Sequence, residues 1–477
     1  MFIISIYEGF KFTEETPKYI QVAEYIKKLI DKREIKDGDK LPTIRSLSKE
    51  LGVNNVTVVS AYNKLKAEGY AYQKIGSGSY AKRKDISLSF RKEYAMSLKN
   101  IKNELLDDII DFTGETNGEI LFPIDDLKDI INSVLERDGA KALISDNRNG
   151  YSDLITTIND IFWDNKINED DIIIVSGAQQ GIDITAKSIL GVNDNVIVEK
   201  PTYVGALSVF KWRKVNLFEV PIEHDGVDLD EFEKILQKNN IRCFYTMSYF
   251  QYPTGVSYSI EKKKRILELA EIYDFYIIED DYLSELIYEG SMKYVPFKWL
   301  DKNDRVIYIK SFSKIFLPGI RLGYMIAPEC YRESIQSSKH NTDITTSSLM
   351  QRSLQLYIQE GKWRENIKAL NDEYRKRYIL MKEILDNEFK HIASYMDPKG
   401  GLNFYVILKD ETINTKELFR SLKKKGVYIT PGAMLFTDER NGQNAFRLAF
   451  YQTNDDKIVR GMKILKEEIL SKLDDDK

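Results

Sequence analysis

The stretch VIYIKSFSKIFLPGIRLGY, Val306 to Tyr324, decides how the chain is read. It opens on a β-branched run, VIYIKS, which has the character of a strand buried on both faces. The loop after it carries Ser311, Ser313 and Lys314, with Arg321 seven residues beyond the lysine. A nucleophilic amine, two hydroxyls and a fixed cation in one turn suit a carbonyl compound that also bears an anion. Five more runs share the pattern of the first: IIIVSG, NVIVEK, VNLFEV, CFYTMS and FYIIED. Helical stretches such as GIDITAKSIL and EKKKRILELAEIY separate them, which predicts an α/β unit with a mainly parallel sheet.

In such sheets ligands collect beyond the carboxyl ends of the strands, so the residues that follow each run carry the chemistry. After IIIV comes SGAQQGID, where Ser176, Gly177, Ala178 and Gln179 would offer backbone N–H groups and a hydroxyl to an anion at a helix N-terminus. After VIVE comes KPTYVG, with Tyr203 placed to stack on something flat. QYPTG forms a turn around Pro253 and Gly255, and FYIIE leads into Asp280, Asp281 and Tyr282. Singly, each has an ordinary structural reading: a cap, a core ring, a surface lysine. Together they fit one ligand, a phosphorylated, planar, cationic aromatic aldehyde, which is pyridoxal phosphate. A lysine buried near cations would have a depressed pKa, which favours imine formation.

The first eighty residues read differently. Ile20, Ala23, Ile26 and Leu29 fall on one helical face between Pro17 and Leu29. Thr43 is an N-cap candidate for a helix over Ile44 to Leu51, closed by Gly52, and a third helix runs from Asn54 to Glu68. YAYQKIGSGSYAKR then predicts a β-hairpin. Three helices, a tight Gly turn and a hairpin match a winged helix-turn-helix, a fold that binds double-stranded DNA; the pattern alone also suits a small helical dimerisation module with solvated polar residues. In that geometry Asn54, Asn55 and Thr57 face base edges, while Arg45 and the hairpin amides around Gly76 touch phosphate.

Composition supports a divided chain. With 477 residues, more than one domain is expected. Through Lys84 there are 16 basic against 10 acidic side chains, and beyond it 54 against 64, so the basic end suits an anionic partner. Two cysteines and three scattered histidines argue against a disulfide framework, zinc catalysis or a local Ser-His constellation. No stretch reads as a signal peptide or membrane span, so a cytoplasmic protein is expected. The segments are taken as 13–84 for the DNA-binding head, 85–107 for a linker that is either a helix or a tether, and 108–475 for the larger unit.

The head resembles the GntR-type bacterial regulators through PKYIQVAEYIKKLI, KDGDKLPTIRSLSKELGV, TVVSAYNKLKAEGY and GSGSY. Many relatives carry arginine where this chain has Asn55. The larger unit resembles the fold-type I aminotransferases through DFTGETNGEILFP, NRNGYSDL, SGAQQGID, EKPTYVGAL, QYPTGVS, IIEDDYLSEL, SFSKIFLPGIRLGY and FRLAF. That likeness implies a multidomain chain ending in a smaller C-terminal α+β subdomain, and a homodimer. It makes Lys314 the imine lysine, Asp280 the partner of the pyridinium nitrogen, Tyr282 a bond to the ring oxygen and Tyr203 the stacking ring. Ser311, Ser313, Arg321 and the Ser176–Gln179 turn would hold the phosphate, and Arg447 would clamp an amino-acid carboxylate. Two positions depart from the family pattern: Ser145 stands where an aromatic residue is common, and Tyr252 where asparagine is usual. The combination resembles the MocR regulators, which implies a pyridoxal-phosphate-dependent transcription regulator with an amino-acid or amine effector held as an external imine. The alternatives are a working aminotransferase using 2-oxoglutarate, and a sensor of pyridoxal phosphate that controls vitamin B6 supply.

Overall fold

The computed structural model describes residues 10, 12–13, 16–31, 34–35, 38–74, 77–82, 86–103, 108–115, 121, 123–144, 147–290, 292–316, 318–438 and 441–475. The chain divides into two compact units, Met1–Ala95 and Met96–Lys477.

The first unit holds α1 (Lys18–Asp31), α2 (Ile44–Leu51), α3 (Asn55–Ala67) and a hairpin of β1 (Ala71–Lys74) and β2 (Gly78–Ala81). Val22, Ala23, Ile26, Leu29 and Ile30 turn one face of α1 inward onto Leu47, Val58, Ala61 and Leu65. Ile20 is only partly buried, so the buried stripe is shifted toward Val22 and Ile30. Thr43 caps α2 by accepting from Ser46 N at 3.2 Å, and Gly52 closes the helix in the left-handed region at φ 62°. The hairpin pairs Lys74 with Gly78 and stacks Tyr72 on Tyr80 at 5.6 Å. These elements are those expected of a winged helix-turn-helix.

Within that unit the expected base-reading residues have other partners. Asn54 is the N-cap of α3: its Oδ1 accepts from Thr57 N and from the Thr57 hydroxyl, both at 2.8 Å. The Oδ1 of Asn55 accepts from the Ser48 hydroxyl at 2.7 Å. A short polar side chain at a helix start meets the helix's own unpaired N–H groups first, and this competes with outward recognition. Arg45 and Asn55 are nevertheless exposed, and so is Val56 at 70% beside them. Gly76 lies outside the described residues.

The linker segment forms a helix, α4 (Ile86–Asn103). The second unit continues through β3 (Ile110–Asp111), α5 (Ile124–Asp138), α6 (Ser152–Trp163), β4 (Ile172–Val175), α7 (Ala178–Ile189), β5 (Asn195–Lys200), α8 (Val204–Trp212), β6 (Asn216–Glu223) and β7 (Gly226–Val227). Next come α9 (Leu229–Lys238), β8 (Ile241–Thr246), α10 (Ile260–Ile272), β9 (Tyr276–Asp281), α11 (Phe297–Leu300), β10 (Val306–Ser311) and β11 (Gly323–Ile326). The chain closes with α12 (Arg332–Asp343), α13 (Ser348–Gln359), α14 (Lys362–Ile384), β12 (Ala393–Tyr395), β13 (Asn403–Leu408), α15 (Thr415–Lys424), β14 (Val427–Tyr428), β15 (Thr430–Pro431), β16 (Ala445–Ala449) and α16 (Asp455–Asp475).

Eight strands form the main sheet in the order β4-β11-β10-β9-β8-β5-β6-β7. Strands β10, β9, β8, β5 and β6 run parallel, while β11 and β7 are antiparallel to their neighbours. All six β-branched runs read from the sequence are strands of this sheet. Apolar residues on both faces explain this, since helices cover each side and two core clusters result. Gly181 lets α7 settle against β10, where a Cβ would meet Ile309 at 2.8 Å. A second, antiparallel sheet, β12-β13-β16-β15, carries the C-terminal α+β part. Parallel pairing of β3 with β14 brings Asp111 to Gly114 beside this sheet. Among the described residues no helix is long and apolar enough to cross a membrane.

Candidate cofactor site

The site lies past the carboxyl ends of β10, β9, β4 and β5. Where β10 ends, the chain turns, and Lys314 projects toward residues far away in sequence. Its Nζ donates to Tyr451 Oη at 2.9 Å and to the Gly114 carbonyl at 3.4 Å, while Tyr451 Oη donates to that same carbonyl at 2.7 Å. The residue is open to solvent on the cleft side, yet the protein packed around the ammonium desolvates it. That burial, and then the cation of Arg447, lowers its pKa to about 8. A sizeable neutral fraction of amine near neutral pH is what a nucleophilic lysine requires.

Strand alternation separates the neighbouring acids of β9. Asp280 accepts from Tyr245 Oη at 2.7 Å through Oδ2, and its Oδ1 is buried with no hydrogen-bond partner. Burial, only partly offset by the Tyr245 bond, pushes the Asp280 carboxyl up to about 7. Asp281 on the other face accepts from Lys310 at 3.1 Å, Tyr308 at 2.7 Å, Tyr294 at 2.6 Å and Ser284 Oγ at 2.7 Å. Tyr203 stands at the N-cap position of α8, with no capping bond from its side chain, and meets Tyr252 edge-on at 5.9 Å. Burial raises its phenol pKa, with the charge of Asp280 acting in the same direction and that of Arg321 against it. Tyr282 donates to the Phe250 carbonyl at 2.9 Å. In this structure its proton points at the backbone rather than into the cleft.

Arg321 joins two of the strand-end loops. Its Nη1 donates to Ser313 Oγ at 3.2 Å and its Nη2 to the Ser176 carbonyl at 3.3 Å. Its backbone is left-handed at φ 55°, a conformation that costs a non-glycine residue energy and is held by its surroundings. Gly177, at φ 91°, is required beneath it: a Cβ there would lie 2.9 Å from Arg321 Nη2. Ser311 Oγ accepts from Ser313 N at 3.3 Å, which shapes the same turn. Ala178 and Gln179 open α7, whose first N–H groups have no carbonyl within the helix. Ser176 is occupied otherwise. Its N–H goes to Gln180 Oε1 at 2.7 Å and its hydroxyl to Asp343 at 3.2 Å.

Arg447 on β16 is only 5% exposed. Its Nη2 donates to the Thr113 carbonyl and to Thr430 Oγ1 at 3.1 Å, and its Nη1 to Asn403 Oδ1 at 3.3 Å. The ring of Tyr252 covers one face of the guanidinium, 4.7 Å from Cζ to the ring centre. Glu115 lies 3.7 Å from Nη2. The turn that carries Tyr252 is locked from below. Gln251 donates to Glu199 at 2.9 Å and to the Pro201 carbonyl at 2.8 Å, and it accepts from the Thr254 hydroxyl at 2.6 Å.

Lys314, Asp280, Tyr203, Tyr282, Ser311, Ser313, Arg321 and Arg447 lie at or beyond the strand ends or on the adjoining sheet, and Tyr203, Tyr252 and Tyr451 link several of them. The sequence reading missed Tyr245, Tyr451, Gly114 and Glu115. Tyr451 and Glu115 flank motifs already singled out, directly after FRLAF and inside DFTGETNGEILFP, so their positions were a usable signal. Ser145 lies outside the described residues. The pocket fits the expected cofactor on the unpaired, desolvated Oδ1 of Asp280, which a ring N–H⁺ would satisfy, and on the cradle at Gly177 beside Arg321.

Comparison with known proteins agrees. The model for aminotransferase class I and II matches residues 118–463, and that for bacterial regulatory proteins of the gntR family matches residues 18–80. The chain is 31% identical over 370 residues to aromatic-amino-acid aminotransferase 1 of Thermococcus litoralis, which covers 76% of this chain and 88% of that protein. It is 28% identical to the HTH-type transcriptional regulator YdfD of Bacillus subtilis over 95% of this chain and 96% of the regulator. Among solved structures, the multiple substrate aminotransferase of Thermococcus profundus superposes with a TM-score of 0.74 at 30% identity, covering 80% of this chain and 95% of that one. These aminotransferases use pyridoxal phosphate, which is the cofactor assigned here. The chain belongs to the aminotransferase class I and II family and joins that domain to a gntR-type helix-turn-helix, the arrangement of the MocR-type regulators.

Proposed function

We propose that this protein is a DNA-binding transcription regulator whose larger unit holds pyridoxal phosphate on Lys314 and answers to a small amino-acid or amine effector. The observation that carries the reading is the presence of both machines in one chain, matched almost end to end by HTH-type regulators. When bound, pyridoxal phosphate supplies an aldehyde that captures primary amines. Lys314 provides the amine that holds it, and Asp280 takes the charge of the ring nitrogen. Tyr203 covers the ring, and Arg321 with Ser311, Ser313 and the N-terminus of α7 receives the phosphate. Tyr282, which donates to the Phe250 carbonyl, would serve the ring oxygen only after giving up that bond. Effector occupancy then biases the larger unit between two conformations, and a dimer of heads reads paired half-sites, with Arg45 and the start of α3 toward the DNA.

The test is Lys314→Ala. The variant should lose the absorbance band of lysine-held cofactor and lose cofactor-dependent regulation, yet keep salt-dependent DNA binding within about twofold. Loss of DNA binding along with the band would argue against separable units.

The similarity to a named aromatic aminotransferase favours a second reading, a working aminotransferase. Conversion of several amino acids with 2-oxoglutarate, without salt-dependent DNA binding, would establish that reading in place of the regulator. Tyr252, set against Tyr203 and Arg447 where asparagine is usual, speaks for sensing over turnover.

A further inference from the structure

The outer face of α3 begins with two valines. The inner face is set by Val58, Ala61, Tyr62 and Leu65, which seat the helix on the core of the head. On the other side Val56 is 70% exposed and Val59 38%, three residues apart and so adjacent on one face. Asn63 and Lys66 continue that exposed face toward the helix end. The polar residues at the helix start are tied into the fold. Asn54 takes the N–H and the hydroxyl of Thr57, and Asn55 Oδ1 accepts from Ser48. An exposed valine gives a helix no burial and stiffens at χ1, so folding of the head supplies no reason for two of them here.

The surroundings indicate what covers them. Arg45, Ser46 and Lys49 stand exposed on α2, and the chain through Lys84 carries more basic than acidic side chains. An apolar face flanked by cations suits a polyanion that carries an apolar group within a groove. In the major groove one base edge has that character, the 5-methyl group of thymine; cytosine shows an amino donor, and the purines show N7 with O6 or N6. A valine set against those polar edges takes water from them and returns no hydrogen bond, which costs binding. Set against thymine, it removes apolar surface from water.

Resting on the regulator reading above, we propose that Val56, with Val59 behind it, reads thymine in the operator by contact with its 5-methyl group. Val56 is then a specificity-determining residue of the head. Asn54 and Thr57 position the helix start that carries it.

The probe is a duplex selected by the full, cofactor-loaded chain from a random-sequence pool. Each thymine of that duplex is replaced singly by uracil, which keeps the pairing and removes only the methyl, and affinity is read by fluorescence anisotropy at fixed salt. At one thymine in each half-site the replacement should weaken binding about fourfold, the worth of one buried methyl. Val56→Ala should bind the thymine and uracil duplexes alike, while Val59→Ala should keep most of the difference. Equal sensitivity to uracil in the parent and in Val56→Ala would overturn the proposal, as would a selected duplex in which no thymine responds, or selection that yields no sequence preference. A Val56→Ala loss that is the same on every duplex and accompanies a change in oligomeric state would also overturn it, assigning the valine to a protein contact. Absence of salt-dependent DNA binding by the unaltered chain would instead overturn the regulator reading on which this one rests.

Discussion

Lys310 and Lys314 stand four residues apart and face opposite fates. Lys310 lies on β10 behind the sheet end, 2% exposed, and donates to Asp281 at 3.1 Å, Ser284 at 2.7 Å and Glu285 at 2.8 Å. Those carboxylates hold its pKa above the ordinary lysine value despite burial, and in return Asp281 is held below the usual carboxylate range. Lys314, one turn on, has among the described residues only neutral oxygens within hydrogen-bond reach, with Arg447 nearby, and its pKa falls. The acids divide in the same way. Asp281 is saturated with donors, while Asp280, its neighbour in sequence, keeps one oxygen bare. One half of the strand end is thus a closed charge network that fixes the loop. The other half has no such network of buried charges among the described residues, and within it the Oδ1 of Asp280 has no hydrogen-bond partner.

The closed half should break hardest. Lys310→Met leaves two buried carboxylates facing each other, and breaking a buried pair in this way costs about 3–5 kcal/mol. Urea denaturation of the cofactor-free protein checks this. Lys314→Met removes a desolvated cation without a carboxylate partner at hydrogen-bond distance, so its stability should stay within about 1 kcal/mol of the parent. Equal losses in the two variants would erase the distinction between the halves.

Asp280→Asn is expected to act next most strongly, and on binding rather than folding. Losing the charged acceptor for a ring N–H⁺ should weaken cofactor retention by about 1.5–3 kcal/mol. Its pH signature has a definite sign. Because the folded carboxyl is raised to about 7 from an ordinary value near 4, the folded protein binds the extra proton between those limits. Its contribution to stability is therefore fully present at low pH and declines as pH rises through that window. Cofactor-free Asp280→Asn should lack this decline, which thermal melts at pH 5 and pH 8 would reveal. A smaller change comes from Ser313→Ala, which removes one hydroxyl beside Arg321 and should weaken cofactor binding by about 1 kcal/mol.

How much of this was legible before the structure follows from the range of the contacts. The strands were readable because β-branched runs repeat locally, and the residues after them could be placed because open α/β sheets gather ligands at one edge. Asp280 and Lys314 were found on that basis. What the sequence hid is who satisfies whom. Lys314 bonds to Tyr451, 137 residues away, and Arg447 bonds to Thr113, 334 residues away. Nothing periodic links such pairs, so the closing of Arg447 could not be anticipated. In the head the contacts are short-range instead. Asn54 and Thr57 bond to each other across three residues, a local cap that recognition geometry alone does not include.

The finest test of the open half is the titration of Lys314 itself. Its pKa near 8 has two named causes, burial first and the Arg447 cation second, while Glu115 and Asp111 act in the opposite direction. Capture of pyridoxal phosphate requires the neutral amine, so the capture rate should climb as pH rises toward about 8 and level off above it. Glu115→Gln removes a charge that raises the lysine pKa, so the midpoint should move down, by less than about one unit because the acid is partly solvated. Stopped-flow absorbance across pH measures it. A midpoint near the ordinary lysine value would mean that Lys314 is solvated like a surface residue. An unchanged midpoint in Glu115→Gln would place the acid too far from the lysine to act on it.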